Sequence, residues 1–397
     1  MKKTIMMGLA TAAALNASAI EGVLKEGTLT GQIRAAYVDQ NNALDSDTYG
    51  TSLGGMLKYE TVSWNGVKAG FAAYLSQKLP FVTGNNENAN GDLFAADTKS
   101  YLYLGEAYLD YSTEEFALRI GRQQINTPFA DTDDIRMHPN TFEAAIASYK
   151  GFEGTILVGG YITRFAGYDS GSDISKFKKL DGVESKGAAI IGATNESIEN
   201  LALQGWYYKV DHVANVFYTD VGYGIVLNES AGVELAGQFG HFSEENNSGI
   251  EGNVYGTGAT LNVGMIALGA TYNTTFNDTE KAVSNGFGGG AYYTSMEETT
   301  IDGFEDARAY QLNTELDMGA IGIEGLKLAA LYGRFKGKRQ GLDARVSEYD
   351  AVVAYTFNDT ICADMSYAMI KDKNKNFSEL RTDGGYDRFL LRLNYSF

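Results

Sequence analysis

Prolines and charged side chains are concentrated in one segment, residues 121–143. Proline fixes φ and removes a ladder donor, so Pro128 and Pro139 predict a loop of restricted shape rather than a strand. Burying a charged group without water or a partner costs desolvation free energy, so the loop acids should face water or pair with cations. We expect Asp134 and Arg136 to orient the loop together. We treat this loop as the candidate functional segment. The residues that we assign to it are Thr127, Pro128, Asp131, Asp133, Asp134, Arg136 and Glu143.

The same residues do not suggest catalysis, a metal or a cofactor. Only three histidines occur, and His138, His212 and His241 are too scattered for a metal cluster. Residues 131–134 resemble the start of a calcium loop, but position six is Arg136 instead of glycine. No Ser–His pair stands out. We therefore predict no enzyme, no metal and no cofactor.

The C-terminal residues alternate with a period of two. Odd positions from Phe389 to Phe397 are apolar or aromatic, and even positions are polar except Leu390. This period predicts a strand with one apolar face. Outer-membrane barrels commonly end in this way, and their terminal aromatic residue belongs to an assembly signal. Similarity to them assigns that role to Tyr395 and Phe397.

Comparable alternation recurs along the whole chain, for example at residues 266–273 and 361–369. The runs have the length of tilted membrane strands, about 9–11 residues, whereas a soluble β-sandwich uses shorter ones. Short connections alternate with long polar ones, which we expect to be external loops. The predicted fold is all-β, a transmembrane antiparallel β-barrel of about 18 strands, with 16 also compatible.

The N-terminus has the order of a secretory signal peptide. Lys2 and Lys3 precede a short apolar run, and Ala17-Ser18-Ala19 offers a cleavage site. We predict a signal peptide at residues 1–19 and a single barrel domain at 20–397, located in the bacterial outer membrane. The first strand, near residues 29–38, leaves no room for an N-terminal plug.

Net charge and strand alternation together indicate which charged side chains face the lumen. The formal net charge of −18 disfavours nucleic acid as a partner. Several cations share strand parity with polar neighbours and should face the lumen. They either guide anions or merely hydrate the wall. These residues are Arg34, Lys58, Lys68, Arg119, Lys327, Arg388 and Arg392.

The loop segment resembles the OprD-type porins, also called outer-membrane carboxylate channels. The matching residues are Gly121-Arg122-Gln123, Thr127-Pro128, Asp134, Arg136, Pro139 and Phe142-Glu143. The resemblance implies an 18-strand monomeric barrel, an inward-folded constriction loop and a file of lumen cations for anionic solutes. The acids of this loop depart from that pattern, so cation preference stays open.

The expected function is passive diffusion of small hydrophilic solutes, whether ions, carboxylates or amino acids. Two other functions stay open: an adhesin or structural barrel with an occluded lumen, and a lipase-like barrel enzyme. We expect outer-membrane lipid or lipopolysaccharide and the barrel assembly machinery as partners. The chain should be a monomer or a trimer.

Overall fold

The computed structural model describes residues 24–43, 45–85, 88–171, 173–180, 184–278, 280–288, 290–374 and 384–397. The predicted signal peptide and Ile20 lie outside these residues. Eighteen long strands and one two-residue strand, β8, form a single antiparallel sheet. The strands are β1 (Thr28–Asn42), β2 (Thr48–Glu60), β3 (Val67–Lys78), β4 (Tyr101–Ser112), β5 (Phe116–Gln123), β6 (Thr141–Phe152), β7 (Thr155–Ala166), β8 (Lys178–Lys179), β9 (Ala188–Ile198), β10 (Leu201–Val210), β11 (Ala214–Asn228), β12 (Ala231–Glu244), β13 (Gly252–Val263), β14 (Ile266–Phe276), β15 (Glu305–Asp317), β16 (Leu326–Arg339), β17 (Leu342–Thr356), β18 (Ile361–Asp372) and β19 (Tyr386–Ser396).

The sheet closes on itself. β1 pairs with β19 from Gln32 opposite Ser396 to Asn42 opposite Tyr386. β7 pairs directly with β9, and β8 only extends the loop end of β7, so the ring contains 18 strands. Closure leaves no unpaired edge in the bilayer. The predicted closed barrel of about 18 strands is confirmed.

The two faces of the barrel follow the period of two that the sequence shows. In β19, Leu391, Leu393 and Tyr395 are 39%, 47% and 45% exposed, because they point outward. Arg388 and Asn394 point inward and are buried. Apart from β5, which has 8 residues, and β8, which has 2, the strands have 10 to 15 residues, long enough to span a bilayer when tilted. In the described part of the chain, no helix has the length and apolar character to cross a membrane.

Connection lengths alternate between the two ends of the barrel. At one end most turns are short, as at residues 153–154, 229–230 and 264–265. At the other end lie the long connections, of which we name L2 (79–100), L3 (124–140), L4 (167–187) and L7 (277–304). L3 follows β5 and is the third connection at this loop end.

Three of the long connections fold into the barrel rather than outward. L2 and L7 lie at the long-loop end with L4, as expected of long connections, and both also enter the lumen. L2 buries Leu93 and Phe94, and L7 buries Phe287 and Tyr292. Each loop carries a few large apolar side chains among many polar ones, and burial removes them from water. Leu390, the exception to strand alternation, faces inward and is covered by Leu93, Phe94 and Met137.

Candidate pore constriction

L3 is held to one side of the lumen by two wall arginines. Both terminal nitrogens of Arg34 donate to the Asp134 carboxylate, at 2.6 and 2.8 Å. Arg34 also donates to the carbonyl of Arg136 at 2.8 Å, and Arg392 donates to the carbonyl of Asp134 at 2.5 Å. Bidentate pairing fixes geometry as well as charge. Although burial acts against it, Arg34 holds the pKa of Asp134 below its usual value.

The other end of L3 packs against the opposite wall. Phe129 is buried, and its ring makes edge contacts with Tyr208, Tyr218 and Phe242 at 5.4–5.6 Å. These rings come from β10, β11 and β12, whereas Arg34 and Arg392 come from β1 and β19. L7 adds a backbone contact, since the N–H of Phe287 donates to the carbonyl of Phe129 at 2.9 Å. L3 therefore crosses the lumen.

Two buried arginines and two acids form a cluster that joins L2, L3, L7 and β19. Arg136 lies 3.5 Å from Asp92 and 3.4 Å from Glu298, and Arg388 contacts the same two acids. The ring of Tyr168 lies 4.2 Å from the Arg136 guanidinium. Burial opposes the charge on Arg136, but Tyr168, Glu298 and Asp92 raise its pKa. Asp134 and Arg136 thus each anchor L3 through a partner on another element.

His138 lies in a pocket of tyrosine rings at the C-terminal end of L3. The rings of Tyr74, Tyr101 and Tyr103 lie 5.0–5.4 Å from its own. Its Nδ1 is 3.3 Å from the Tyr103 hydroxyl. Burial lowers the pKa of His138 from 6.5 to about 4. The packed loop therefore holds a neutral histidine at neutral pH.

Lowering the pH should loosen L3 through His138. When L3 is released, the histidine binds a proton below pH 6.5, whereas the packed histidine does so only near pH 4. Packing is therefore weakened as pH falls from 6.5 to 4, by about 3 kcal/mol in total. Open-channel current noise should rise over this range.

His138→Gln is the matched variant, because it keeps a polar side chain without the titration. Asp169 accepts a hydrogen bond from Asn140 of L3 at 2.7 Å. Loss of solvation raises the pKa of Asp169 above its usual value, so Asp169 acts in the opposite direction at low pH. The difference between wild type and His138→Gln isolates the histidine. Equal pH dependence in the two proteins would contradict the prediction.

The seven cations assigned to the lumen all lie on the inner face, and each has an acidic partner. Arg34 and Arg388 meet the loops, whereas Lys68, Arg119 and Lys327 lie nearer the turn end. A row of cations therefore exists, but carboxylates accompany it throughout. The pairs are Arg34–Asp134, Lys58–Glu106, Lys68–Glu60, Arg119–Asp110, Lys327–Glu315, Arg388–Asp92 and Arg392–Asp364, with N–O distances of 2.5–3.3 Å.

The predicted loop residues occupy different environments. Thr127 forms a tight turn with Ala130 around Pro128, through backbone hydrogen bonds in both directions. Asp131 and Asp133 line a cavity of about 430 Å³ between L3, L4 and L7, with Asp169 and Glu297. Within the described residues, no group of three or more His, Cys, Asp or Glu side chains is placed to hold a metal ion.

Glu143 does not belong to the loop, and its assignment there is wrong. The chain returns to the wall at Thr141, so Glu143 is the third residue of β6. Its carboxylate pairs with Arg122 of β5 at 3.1 Å and with Arg164 of β7. Both arginines are cross-strand neighbours of Glu143 in the sheet register. Glu143 therefore ties three wall strands together near the loop end.

The sequence analysis missed the acids that accompany the cations. Glu106 and Asp110 share strand parity with inward-facing Tyr108, so alternation in β4 was a usable signal. Asp364 likewise lies opposite Arg392 in the register of β18 and β19. Asp92 and Glu298 lie in irregular loops, and no periodic pattern marks them.

The comparisons with known proteins agree with this architecture. Residues 96–397 match the family described as outer membrane porin, OprD family. The chain belongs to the OprD family of outer-membrane porins. It is thus a bacterial outer-membrane channel through which small hydrophilic solutes diffuse passively. No curated protein sequence matches the chain.

Solved structures of other OprD-family porins share the fold at low sequence identity. Pseudomonas aeruginosa OccK9 (OpdG) is 17% identical, with a TM-score of 0.80, over 94% of this chain and 99% of OccK9. Acinetobacter baumannii OccAB2 is 15% identical, with a TM-score of 0.81, over 95% of this chain and 99% of OccAB2. Pseudomonas aeruginosa OpdK, solved with vanillate, is 16% identical, with a TM-score of 0.78, over 95% of this chain and all (100%) of OpdK.

Proposed function

We propose that solutes cross this porin beside L3, along the row of paired charges on the inner wall, and that small zwitterions such as amino acids are favoured over simple anions. The single observation that carries the proposal is the pairing of the seven wall cations named above with carboxylates. A zwitterion can pair with both the cations and the carboxylates of such a wall. An anion is attracted by each cation but repelled by the carboxylate next to it. OpdK was solved with the carboxylate vanillate, but the wall acids of this chain favour a different solute.

The electrostatic reason lies in the distances. A cation and a carboxylate 3 Å apart have a field that falls off much faster than that of an isolated charge. Lys68 and Glu60 are each 31% exposed, so both can contact water or solute. Lys58 is paired with Glu106, which is almost fully buried. The wall thus offers alternating donors and acceptors with little net charge.

The wall charges can be tested by reversal potential in a salt gradient. Arg392→Glu should move the reversal potential toward cations, because it places two acids side by side near L3. Asp364→Asn should move it toward anions, because it frees Arg392 from its partner 2.7 Å away. Lys209→Glu is the control, since Lys209 lies on the outer face of β10.

Opposite shifts for the two wall variants, with the control unchanged, are the expected result. If both wall variants leave the reversal potential unchanged, these charges lie off the conduction path. Liposome swelling with glycine and with succinate at equal osmolarity then tests the solute class. Faster swelling with succinate than with glycine would contradict the proposed preference for zwitterions.

L2, L3 and L7 bury large side chains in the lumen, so we expect them to narrow the channel. Absence of single-channel conductance would contradict passage of solutes beside L3. We propose no catalytic activity. We also propose that residues 1–19 are removed as a signal peptide and that the barrel assembly machinery inserts residues 20–397 as one domain. The barrel should work as a monomer or a trimer.

A further inference from the structure

Five cations that form no ion pair with a described carboxylate lie on the outer face of the barrel, near the loop ends of β15 to β18. Buried Phe335 lies between two of them in β16, and buried Ala344 and Val346 flank another in β17, so these cations point outward. The chain as a whole has a net charge of −18, which makes such a group unusual here. The cationic patch consists of Arg308, Arg334, Lys336, Arg345 and Lys371.

The sheet register places these like charges side by side. Arg308 lies opposite Lys336, and Lys336 lies opposite Arg345. One rung nearer the membrane, Ser347 lies between Arg334 and Lys371. Neighbouring strands are about 4.8 Å apart, and like charges directly opposite each other are destabilising. The arrangement requires a compensating anion.

The protein itself supplies little compensation. Across the described ranges, no patch residue forms an ion pair with a carboxylate, in contrast to the cations of the inner wall. Asp343 is one rung further out, opposite Lys338. Lys373 is a further cation beside the patch, since its backbone N–H donates to the carbonyl of Arg345. The described carboxylates thus leave the patch open to an anion from outside the protein.

Aromatic residues on the same outer face place the patch at headgroup level. Tyr310, Tyr332 and Tyr349 form a row, with ring centroids 6.0 and 4.8 Å apart. Below them, Leu312 is 51% exposed on the lipid-facing surface. Aromatic belts lie at the boundary between hydrocarbon and headgroups, and the long-loop end of outer-membrane barrels is external. The patch thus lies beside the outer leaflet, next to its headgroups.

We propose that the cationic patch binds the phosphate groups of a phosphorylated outer-leaflet lipid of the lipopolysaccharide type. Arginines and lysines make strong charge-assisted hydrogen bonds to phosphate, and arginine can do so with two donors. The lipid is favoured over free phosphate because the patch continues directly into the aromatic and apolar surface that contacts acyl chains. This site goes beyond the channel function and does not rest on it.

The test compares two variants that each lose three positive charges. Arg308→Gln/Lys336→Gln/Arg345→Gln removes the upper rung of the patch. Lys99→Gln/Lys150→Gln/Lys209→Gln is the matched control, with three exposed lysines scattered over the surface. Heat-modifiable mobility confirms that each barrel is folded. Binding is measured in detergent with bis-phosphorylated lipid A, with its dephosphorylated form, and with inorganic phosphate as competitor.

The patch variant should bind bis-phosphorylated lipid A at least about tenfold more weakly than wild type, since it loses three charge-assisted contacts. The control should bind like wild type, and the dephosphorylated lipid should bind weakly to all three proteins. Equal binding by the patch variant would overturn the proposal. So would equal binding of the dephosphorylated lipid. Displacement of lipid A by equimolar inorganic phosphate would instead show a site for the free ion.

Discussion

Replacing residues 131–136 with two glycines should raise the single-channel conductance at least about twofold, because the narrowest part of a pore dominates its resistance. The segment includes the Asp134 carboxylate that Arg34 holds and the Arg136 side chain that meets Asp92 and Glu298. Without these contacts L3 loses its attachment to β1 and β19. Larger solutes should then enter in liposome swelling.

The barrel itself should survive this change, since none of the removed residues belongs to a strand. Replacing residues 245–248 with two glycines is the matched control. This connection lies at the same end of the barrel and also loses hydrogen bonds, but its partner, the carbonyl of Val213, belongs to the adjacent connection instead of to the wall that holds L3. Its conductance should stay at the wild-type level. A folded L3 variant with wild-type conductance would show that L3 does not limit the current.

Phe397→Ser should reduce the amount of folded barrel in outer membranes roughly tenfold, because it removes the aromatic residue that completes the closing strand pair. Phe397 exchanges two backbone hydrogen bonds with Gly31 of β1. Its ring lies over Gly31, where a Cβ atom would approach within 2.4 Å. An aromatic ring that covers a strand glycine stabilises the pair. Heat-modifiable mobility measures the folded fraction.

Phe357→Ser is the matched control for Phe397→Ser. Phe357 lies at the same turn end and is 54% exposed, compared with 51% for Phe397. Each ring contacts a tyrosine two residues earlier in the chain. Phe357 does not close the barrel, so its loss should cost little. Equal effects of the two variants would show that exposed aromatic area matters, and not the terminal position.

The closed barrel could be predicted from the sequence because its cause is local. A membrane strand must alternate between lipid and lumen, so each strand carries the period of two by itself. β19 shows this between residues 389 and 397, where Leu390 alone breaks the pattern. An apolar side chain on the lumen face indicates that another part of the chain packs against it there, because burial removes it from water. The cover comes from Leu93, Phe94 and Met137, which lie far away in sequence.

The contents of the lumen could not be predicted in the same way. Whether a loop folds inward depends on whether the opposite wall offers a partner, as Tyr208 and Tyr218 do for Phe129. The assignment of Glu143 to the loop failed for the same kind of reason. The proline-rich segment shows no pattern that marks where the chain rejoins the wall at Thr141.

The alternation of residues along each strand thus determined the barrel fold and the placement of the seven cations on its inner face, because alternation depends only on neighbours along the chain. Only the tertiary structure decided which charges remain unpaired. The pairing of Arg34 with Asp134 joins residues 100 positions apart, and Arg392 reaches the carbonyl of Asp134 from 258 positions away. A net field in the pore depends on distances between such residues, and those distances exist only once the barrel has closed around its loops.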